Sequence, residues 1–323
     1  MVSRAFPVST TLEPPLRDPH RFAPVFVLTT ARSYSSVVTT MIGQHPQLVG
    51  LPELKLFCCD TIGELEASLP SYWINRGVTH RSPGLVRALA QFEFGDQSLQ
   101  SLDSARRWLQ DRAHWTGADV FDVLLTRLTP LTAVEKSPDN VSDPASLSRL
   151  VSAYPGARYL HLTRHPLSTQ RSMQEYRQRI VPEYPQDGEP MYGIASWYET
   201  HRRICELSAA LSQERYLRVR AEDVLNDSEP QLRAIAKWLG IRTDDEAIDS
   251  MKRPEESPFA YLKIADAGVY GGNDPGFLSH PTPRRVEIPS ALEPPRGWSA
   301  EPATWDMVVA LANHLGYFDE RTT

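Results

Sequence analysis

Four short runs of apolar and β-branched residues stand out along the chain, and each has the length of a buried strand. The runs are Val25–Thr30, Leu131–Lys136, Arg158–Thr163 and Tyr216–Arg220. Segments with helical spacing lie between them, which favours parallel strands joined by helical crossovers. The chain is therefore predicted to form an α/β fold in which helices cover both faces of a parallel sheet.

The helical segments place apolar residues three and four positions apart, which is the spacing of one buried helix face. Asp227–Pro230 has the composition of a helix start, and Gly240 that of a helix stop. The predicted helices are Ser36–Gln44, Pro83–Phe94, Leu102–Trp115, Val120–Leu128, Pro144–Tyr154, Pro166–Ile180, Tyr192–Leu211, Gln231–Leu239 and Ala303–Leu315.

Length, charge and cysteine content narrow the class of protein. The 323 residues suit one large α/β domain or two small ones, and a hydrophobic content of 41% allows a sizeable core. A net charge of -6 argues against nucleic acid as a partner. The three cysteines form no metal-binding pattern, and no signal peptide or membrane-spanning apolar stretch is evident. We expect a cytoplasmic protein without a membrane span.

The first predicted strand leads into a turn that suits an anion. The polar turn carries Arg32, Ser35 and Ser36, and a helix follows at once. Such a strand–turn–helix directs backbone N–H groups and a helix N-terminus at one place, where a phosphate can bind. The guanidinium adds a fixed positive charge, and the hydroxyls add neutral donors. Because the Gly-x-x-x-x-Gly-Lys-Ser/Thr pattern of ATP-binding loops is absent, the turn predicts an anionic nucleotide but not ATP hydrolysis.

A second strand end carries similar chemistry. Arg164 follows the run Arg158–Thr163, Pro166 stands where a helix can begin, and Ser172 lies two turns along that helix. Arg164 and Ser172 could therefore grip one phosphate, from the strand end and from the helix flank. The alternative is a surface arginine with an unrelated serine.

Together these segments resemble the PAPS-dependent sulfotransferases, whose donor is 3′-phosphoadenosine 5′-phosphosulfate (PAPS). In that family a strand–loop–helix of the form Arg-Ser-Gly-Thr-Thr binds the 5′-phosphosulfate, and an arginine and a serine spaced like Arg164 and Ser172 bind the 3′-phosphate. The residues that the resemblance assigns to the 5′-phosphosulfate are Arg32, Ser33, Tyr34, Ser35 and Ser36.

The resemblance extends to the C-terminal part of the chain and covers about Ala23–Arg285. Ser257–Ala260 and Gly271–Leu278 are similar to the C-terminal region of bacterial sulfotransferases, which include domains embedded in polyketide synthases. By this resemblance Gly271 and Gly272 donate backbone N–H groups to the 3′-phosphate.

The resemblance implies one sulfotransferase domain with the P-loop-NTPase-like sheet of that family. We predict this domain at 23–323, preceded by a proline-rich N-terminal arm at 1–22. The region 252–300 is rich in proline and glycine, and we expect it to form loops that close over the nucleotide.

Four positions depart from the family pattern. Tyr34 stands where the family has a glycine, so a bulky residue must fit a tight turn, with its ring free to pack over a neighbour. Pro138 replaces the catalytic histidine of the cytosolic eukaryotic enzymes. Ala221 replaces a tyrosine near the adenine, and His165 replaces an aspartate after the 3′-phosphate arginine.

Sulfuryl transfer needs a base for the acceptor's proton and positive charge at the leaving phosphate, but no metal. Arg32 and Lys136 are the candidates for the leaving-group side, since Val134–Pro138 looks like the family element that brings a lysine to the sulfuryl group. Glu53 is the candidate base, because the chain should return there to the same end of the sheet. An ion pair with Lys55 is its alternative role, and a histidine base stays open.

The predicted reaction moves a sulfuryl group from PAPS to a hydroxyl and leaves 3′,5′-adenosine bisphosphate (PAP) as product. The acceptor is a small molecule or an acyl chain tethered to a carrier protein, in secondary metabolism. Two alternatives from other classes are a nucleotide-binding regulatory module and a P-loop-like small-molecule kinase that would need ATP and Mg²⁺.

Overall fold

Five parallel strands form one sheet in the computed structural model, which describes residues 11–70, 80–180, 192–262, 271–294 and 302–318. The order of the strands across the sheet is β2-β3-β1-β4-β5, so β1 lies at the centre between β3 and β4. The prediction of a parallel α/β sheet is confirmed. The strands are β1 Val25–Leu28, β2 Leu48–Gly50, β3 Thr132–Glu135, β4 Arg158–Thr163 and β5 Tyr216–Arg220.

The central strand explains why helices cover both faces of the sheet. All four residues of β1 are buried, and successive side chains of a strand point to opposite faces. Phe26 and Leu28 belong to one hydrophobic cluster, whereas Val25 and Val27 belong to another. A strand that is apolar at every position therefore supplies two cores, as in a sheet covered on both sides.

Fourteen α-helices lie in the described ranges, and the predicted helices match nine of them with small differences at their ends. The helices are α1 Ser35–Gly43, α2 Ile62–Ala67, α3 Pro83–Glu93, α4 Leu99–Gln110, α5 Gly117–Leu128, α6 Asp139–Ser142, α7 Pro144–Ala153, α8 Pro166–Ile180, α9 Tyr192–Ser208, α10 Ala221–Asn226, α11 Ser228–Leu239, α12 Asp245–Met251, α13 Pro275–Ser279 and α14 Pro302–His314.

The largest difference in helix limits concerns α4, which was predicted at Leu102–Trp115 and begins three residues earlier. The Ser98 hydroxyl caps its start by accepting from the Ser101 N–H, and the helix ends at Gln110. Gly240 does end α11, in the left-handed conformation with φ of 68°.

Residues 11–22 of the predicted arm contain neither helix nor strand, and they lie against the helices of the domain; residues 1–10 are outside the described ranges. Arg17 donates to the Asp122 carboxylate at 2.7 Å, and its guanidinium lies 5.1 Å from the centre of the Tyr154 ring. The Trp115 indole N–H donates to the carbonyl of Leu12 at 2.7 Å. The boundary at residue 22 and the single-domain assignment stay predictions.

The predicted Pro/Gly-rich region 252–300 contains a 3₁₀ turn at Pro254–Glu256 and the short helix α13, while 281–294 has neither helix nor strand. Residues 263–270 and 295–300 of this region lie outside the described ranges. Where it is described, the region contacts segments that follow β2 and β1: the Gly272 carbonyl accepts from the Glu53 N–H, and the Asp274 N–H donates to Ser36 Oγ.

Candidate active site

The segments that follow β1, β2, β3 and β4 meet at the carboxyl edge of the sheet, where parallel α/β folds bind ligands. They line one cavity of about 620 Å³. Of the residues predicted from the sequence, the cavity wall contains Arg32, Ser33, Tyr34, Ser35, Ser36, Glu53, Arg164, Ser172 and Gly272. The two predicted phosphate sites therefore lie in a single cavity.

The turn between β1 and α1 is held in an unusual conformation. Arg32 and Tyr34 both have left-handed backbones, with φ of 66° and 57°, and α1 begins directly afterwards at Ser35. Ser33 Oγ is buried without a hydrogen-bond partner among the described residues. A buried hydroxyl in this state has an unmet demand that a bound anion can satisfy.

The Tyr34 ring packs on a predicted phosphate ligand. The Arg164 guanidinium carbon lies 3.9 Å from the centre of that ring, which is cation–π geometry. Tyrosine in a left-handed backbone costs free energy, and the contact offsets part of it. The tyrosine that replaces the family's glycine thus holds Arg164 in place.

Arg164 and Ser172 both lie next to the β1–α1 turn. Arg164 follows β4, where the Trp197 indole donates to its carbonyl at 2.7 Å and its own guanidinium donates to the carbonyl of Arg32. Its Nε is buried without a partner in the described part of the chain. Burial lowers the pKa of the Arg164 guanidinium. Ser172 Oγ accepts from Arg32 Nε at 3.2 Å, so Arg32 reaches from the turn to the other phosphate site.

Lys136 and Glu53 form an ion pair in which Glu53 lies at the cavity wall and Lys136 is buried behind it. Lys136 Nζ lies 2.8 Å from Glu53 Oε1 and 3.1 Å from Ser36 Oγ, and Lys136 is fully buried. Lys136 is therefore not a solvent-exposed lysine at the end of its strand. Glu53 lines the cavity, with 23% of its side chain exposed. Lys136 contacts the site through Glu53 and Ser36 in this structure.

The hydroxyl of Ser36 is set to donate. Its oxygen accepts from Lys136 Nζ and from the Asp274 backbone N–H at 2.9 Å, which fills both acceptor positions of a hydroxyl. Its own proton is therefore the group left to bond a ligand in the cavity, and an anionic oxygen is the fitting acceptor.

Close backbone packing fixes the position of Glu53. Its N–H donates to the carbonyl of Gly272 at 2.7 Å, and Ser82 Oγ donates to its carbonyl at 3.1 Å. A Cβ atom at Gly84 would lie 2.2 Å from the Glu53 carbonyl oxygen, so only glycine fits there. The carbonyl of Gly271 accepts from buried Arg87 at 2.7 Å. The contacts of the Gly271 and Gly272 N–H groups with the 3′-phosphate stay predictions.

Glu135 holds the segment that carries Glu53 and Leu54, and it was not among the residues selected from the sequence. The carboxyl is fully buried; it accepts from the Leu54 N–H at 3.3 Å, from Asn140 Nδ2 at 2.9 Å and from the Ser137 hydroxyl. Burial raises the pKa of Glu135 to about 7, against the lowering effect of its hydrogen bonds.

A cluster of charges lines the cavity beyond Glu53. Asp139 pairs with Lys55 at 3.1 Å and with Arg81 at 2.9 Å, and Lys55 Nζ lies 4.0 Å from Glu53 Oε2. Burial acts to raise the pKa of Asp139, but the two cations outweigh it and lower that pKa to about 2. The predicted alternative pairing of Glu53 with Lys55 is the longer of the two contacts that Glu53 makes with lysines.

Two histidines, His80 and His280, line the same cavity, so the histidine alternative for the base has named candidates. His165 belongs elsewhere: its N–H donates to Glu222 at 2.8 Å, and burial lowers the pKa of its ring to about 4. Ala221 begins α10 and is fully buried.

Arg284, Arg285 and Asp274 also line the cavity, although the sequence reasoning did not select them. Asp274 forms an ion pair with Arg32. Within the described ranges, no group of three or more His, Cys, Asp or Glu side chains is placed to hold a metal ion. The helices described there include none that is both long and apolar enough to cross a membrane.

Comparison with known proteins decides the family. The model of the sulfotransferase family matches residues 24–245, which is more than half of the chain. The chain belongs to the sulfotransferase family. The resemblance identified in the sequence is thereby confirmed, and the protein is an enzyme of the sulfotransferase class.

Solved structures agree with this assignment. The sulfotransferase domain from the curacin biosynthetic pathway is 19% identical, with 93% of this chain and 99% of that domain covered and a TM-score of 0.73. The sulfotransferase domain from the olefin synthase of Synechococcus PCC 7002 is 25% identical, with 94% and 98% covered and a TM-score of 0.69. No curated protein matches this chain.

Proposed function

We propose that this sulfotransferase takes its sulfuryl group from PAPS and binds both anionic ends of that donor in the single cavity described above. The β1–α1 turn, with Arg32, Ser33, Ser35 and Ser36, would hold the 5′-phosphosulfate. Arg164 and Ser172 would hold the 3′-phosphate.

The observation that carries the proposal is a set of hydrogen-bond donors on residues that line this cavity. Ser33 Oγ and Arg164 Nε are both buried and unpaired within the described residues. The Ser36 hydroxyl has both acceptor positions filled and retains a proton to donate. Unpaired buried polar groups are costly, and the phosphate oxygens of a nucleotide would satisfy all three.

PAPS supplies a sulfuryl group on a phosphate leaving group, and the chain's residues provide position and charge. We assign Glu53 to the removal of the acceptor's hydroxyl proton, since it is a carboxylate on the cavity wall that Lys136 links to Ser36 of the turn. Lys136 orients Glu53 and Ser36 together. A direct contact of Lys136 with the sulfuryl group stays a prediction, because the ammonium is fully buried behind Glu53 and Ser36.

The acceptor is proposed to be a hydroxyl on a small molecule or on an acyl chain tethered to a carrier protein. The likeness to domains from the curacin pathway and from an olefin synthase supports the tethered form. Two arginines of α9 are candidates to attract an acidic carrier protein, but both have partners within the chain. Arg202 pairs with Glu199 and Glu206, and Arg203 donates to the carbonyl of Val141.

The test is a screen for molecules that gain SO₃. Cell extract, and separately a set of hydroxyacyl carrier proteins, is incubated with the enzyme and PAPS and examined by mass spectrometry. A mass gain that requires PAPS supports the proposal. In parallel, PAP should raise the melting temperature, whereas ATP with Mg²⁺ should not. Equal stabilisation by AMP and PAP would refute the assignment of the 3′-phosphate, and a response to ATP alone would favour the kinase alternative.

A further inference from the structure

Asp274 places a carboxylate on Arg32, the arginine that is proposed to bind the phosphosulfate. Its Oδ2 pairs with the Arg32 guanidinium, and both side chains are about one quarter exposed, at 26% and 22%. The same guanidinium donates to Ser172 at 3.2 Å and lies 4.9 Å from the centre of the Tyr176 ring. The Arg32 side chain is thus held in the cavity by the carboxylate of Asp274.

The position of Asp274 is fixed independently of Arg32. Its Oδ1 caps α13 by accepting from the N–H groups of Gly276 at 2.9 Å and Phe277 at 3.2 Å. Its own N–H donates to Ser36 Oγ at 2.9 Å. One carboxylate oxygen is therefore anchored by the backbone, and the other is left for Arg32.

We propose that Asp274 competes with the nucleotide's phosphate oxygens for Arg32 and thereby weakens the hold of the enzyme on PAP. This inference rests on the proposed use of PAPS. A donor that enters the cavity must share or displace the ion pair, and a product that leaves regains it. Because an uncompensated like charge beside the ligand opposes binding, Asp274 acts on affinity through Arg32, as a positioning residue.

The test is Asp274→Asn in the full chain. The amide oxygen can keep the cap on α13, which places its NH₂ group against the Arg32 guanidinium. Two donors cannot bond each other, so Arg32 is released towards the ligand. We expect calorimetry to show PAP binding about tenfold tighter than in the wild type, and the KM for PAPS to fall without a rise in kcat.

Asp103→Asn is the control, since it removes an equal charge from an exposed ion pair with Arg106 on α4. Unchanged or weaker PAP binding by folded Asp274→Asn, or equal tightening by the control, overturns the inference. If Asp274→Asn fails to fold, Asp274→Ser, which also keeps a capping oxygen, is judged by the same criterion. A wild type that does not bind PAP at all refutes the proposed function instead.

Discussion

The ammonium of Lys136 lies 2.8 Å from a carboxylate oxygen of Glu53 and 3.1 Å from the hydroxyl oxygen of Ser36. One buried cation therefore ties the proposed base to the turn that is proposed to bind the phosphosulfate. An ammonium has three donors, so it can serve both partners at once. Of Lys136 and Glu53, only Glu53 lines the cavity, and for this reason the proton transfer is proposed for its carboxylate.

Glu53→Gln tests that assignment, because the amide preserves shape and can still accept from Lys136 but cannot take a proton. We expect turnover with an acceptor identified by the SO₃ screen to fall roughly 10²-fold or more. PAP affinity, measured by calorimetry, should stay close to that of the wild type.

Glu206→Gln on the exposed face of α9 is the matched control and should turn over normally. His80 and His280 line the same cavity, so His80→Asn and His280→Asn are assayed in parallel. Full activity of Glu53→Gln, together with a large loss in either histidine variant, would transfer the role of base to that histidine.

Arg164→Met tests the recognition of the 3′-phosphate. Losing charge-assisted bonds to a phosphate costs about 1.5–3 kcal/mol each, so PAP should bind at least about tenfold more weakly. AMP lacks the 3′-phosphate and should bind the variant and the wild type alike. Calorimetric titration with both nucleotides provides the comparison, and Arg106→Met on α4 is the surface control. An equal loss of affinity for AMP and PAP would show that Arg164 does not bind the 3′-phosphate.

The placement of the two proposed phosphate sites was predictable because it follows from chain order alone. Each site begins at the end of an apolar strand, and parallel strands bring their carboxyl ends to one edge. Arg32 and Arg164 were therefore expected at the same edge, and both line one cavity. The direct contact of Arg32 with Ser172 was not predictable, since it depends on where a long side chain turns.

The missed features have a common physical origin in tertiary context. β2 has only three residues, Leu48–Gly50, too few for a periodicity to appear, and pairing with β3 makes it a strand. Asp274 reads as the start of a short helix, and only the folded chain shows its second oxygen on Arg32. Glu135 lies within a run of strand residues, and nothing local shows that its carboxyl supports Leu54.

Tyr34 has a left-handed backbone, and its ring packs on the Arg164 guanidinium. Substitution separates the cost of the backbone from the benefit of the ring contact. Tyr34→Gly removes the left-handed strain, whereas Tyr34→Leu keeps it, so the Gly variant should be the more stable by about 1 kcal/mol in urea unfolding. Both variants lose the contact with Arg164 and should bind PAP about threefold to tenfold more weakly, while Tyr34→Phe should bind normally. If Tyr34→Leu were as stable as Tyr34→Gly, the left-handed backbone at this position would not be strained.

The buried carboxyl of Glu135 predicts how stability depends on pH. Its pKa rises from 4.5 to about 7 on folding. Between these values the folded protein binds more protons than the unfolded chain, so the free energy of unfolding decreases as pH rises through this window. The protonated Glu135 carboxyl thus contributes about 3 kcal/mol to the free energy of unfolding. This contribution is fully present below pH 4.5 and is lost above about pH 7.

Glu135→Gln removes this titration and should fit the same space. Asn140 Oδ1 is buried without a partner among the described residues, so the Asn140 amide can rotate to accept from the new NH₂ group. The stability of the variant relative to the wild type should therefore rise by about 2–3 kcal/mol between pH 5 and pH 8. Urea unfolding at four pH values across this range measures the difference. Parallel pH profiles for the two proteins would mean that Glu135 is ionised in the folded state throughout.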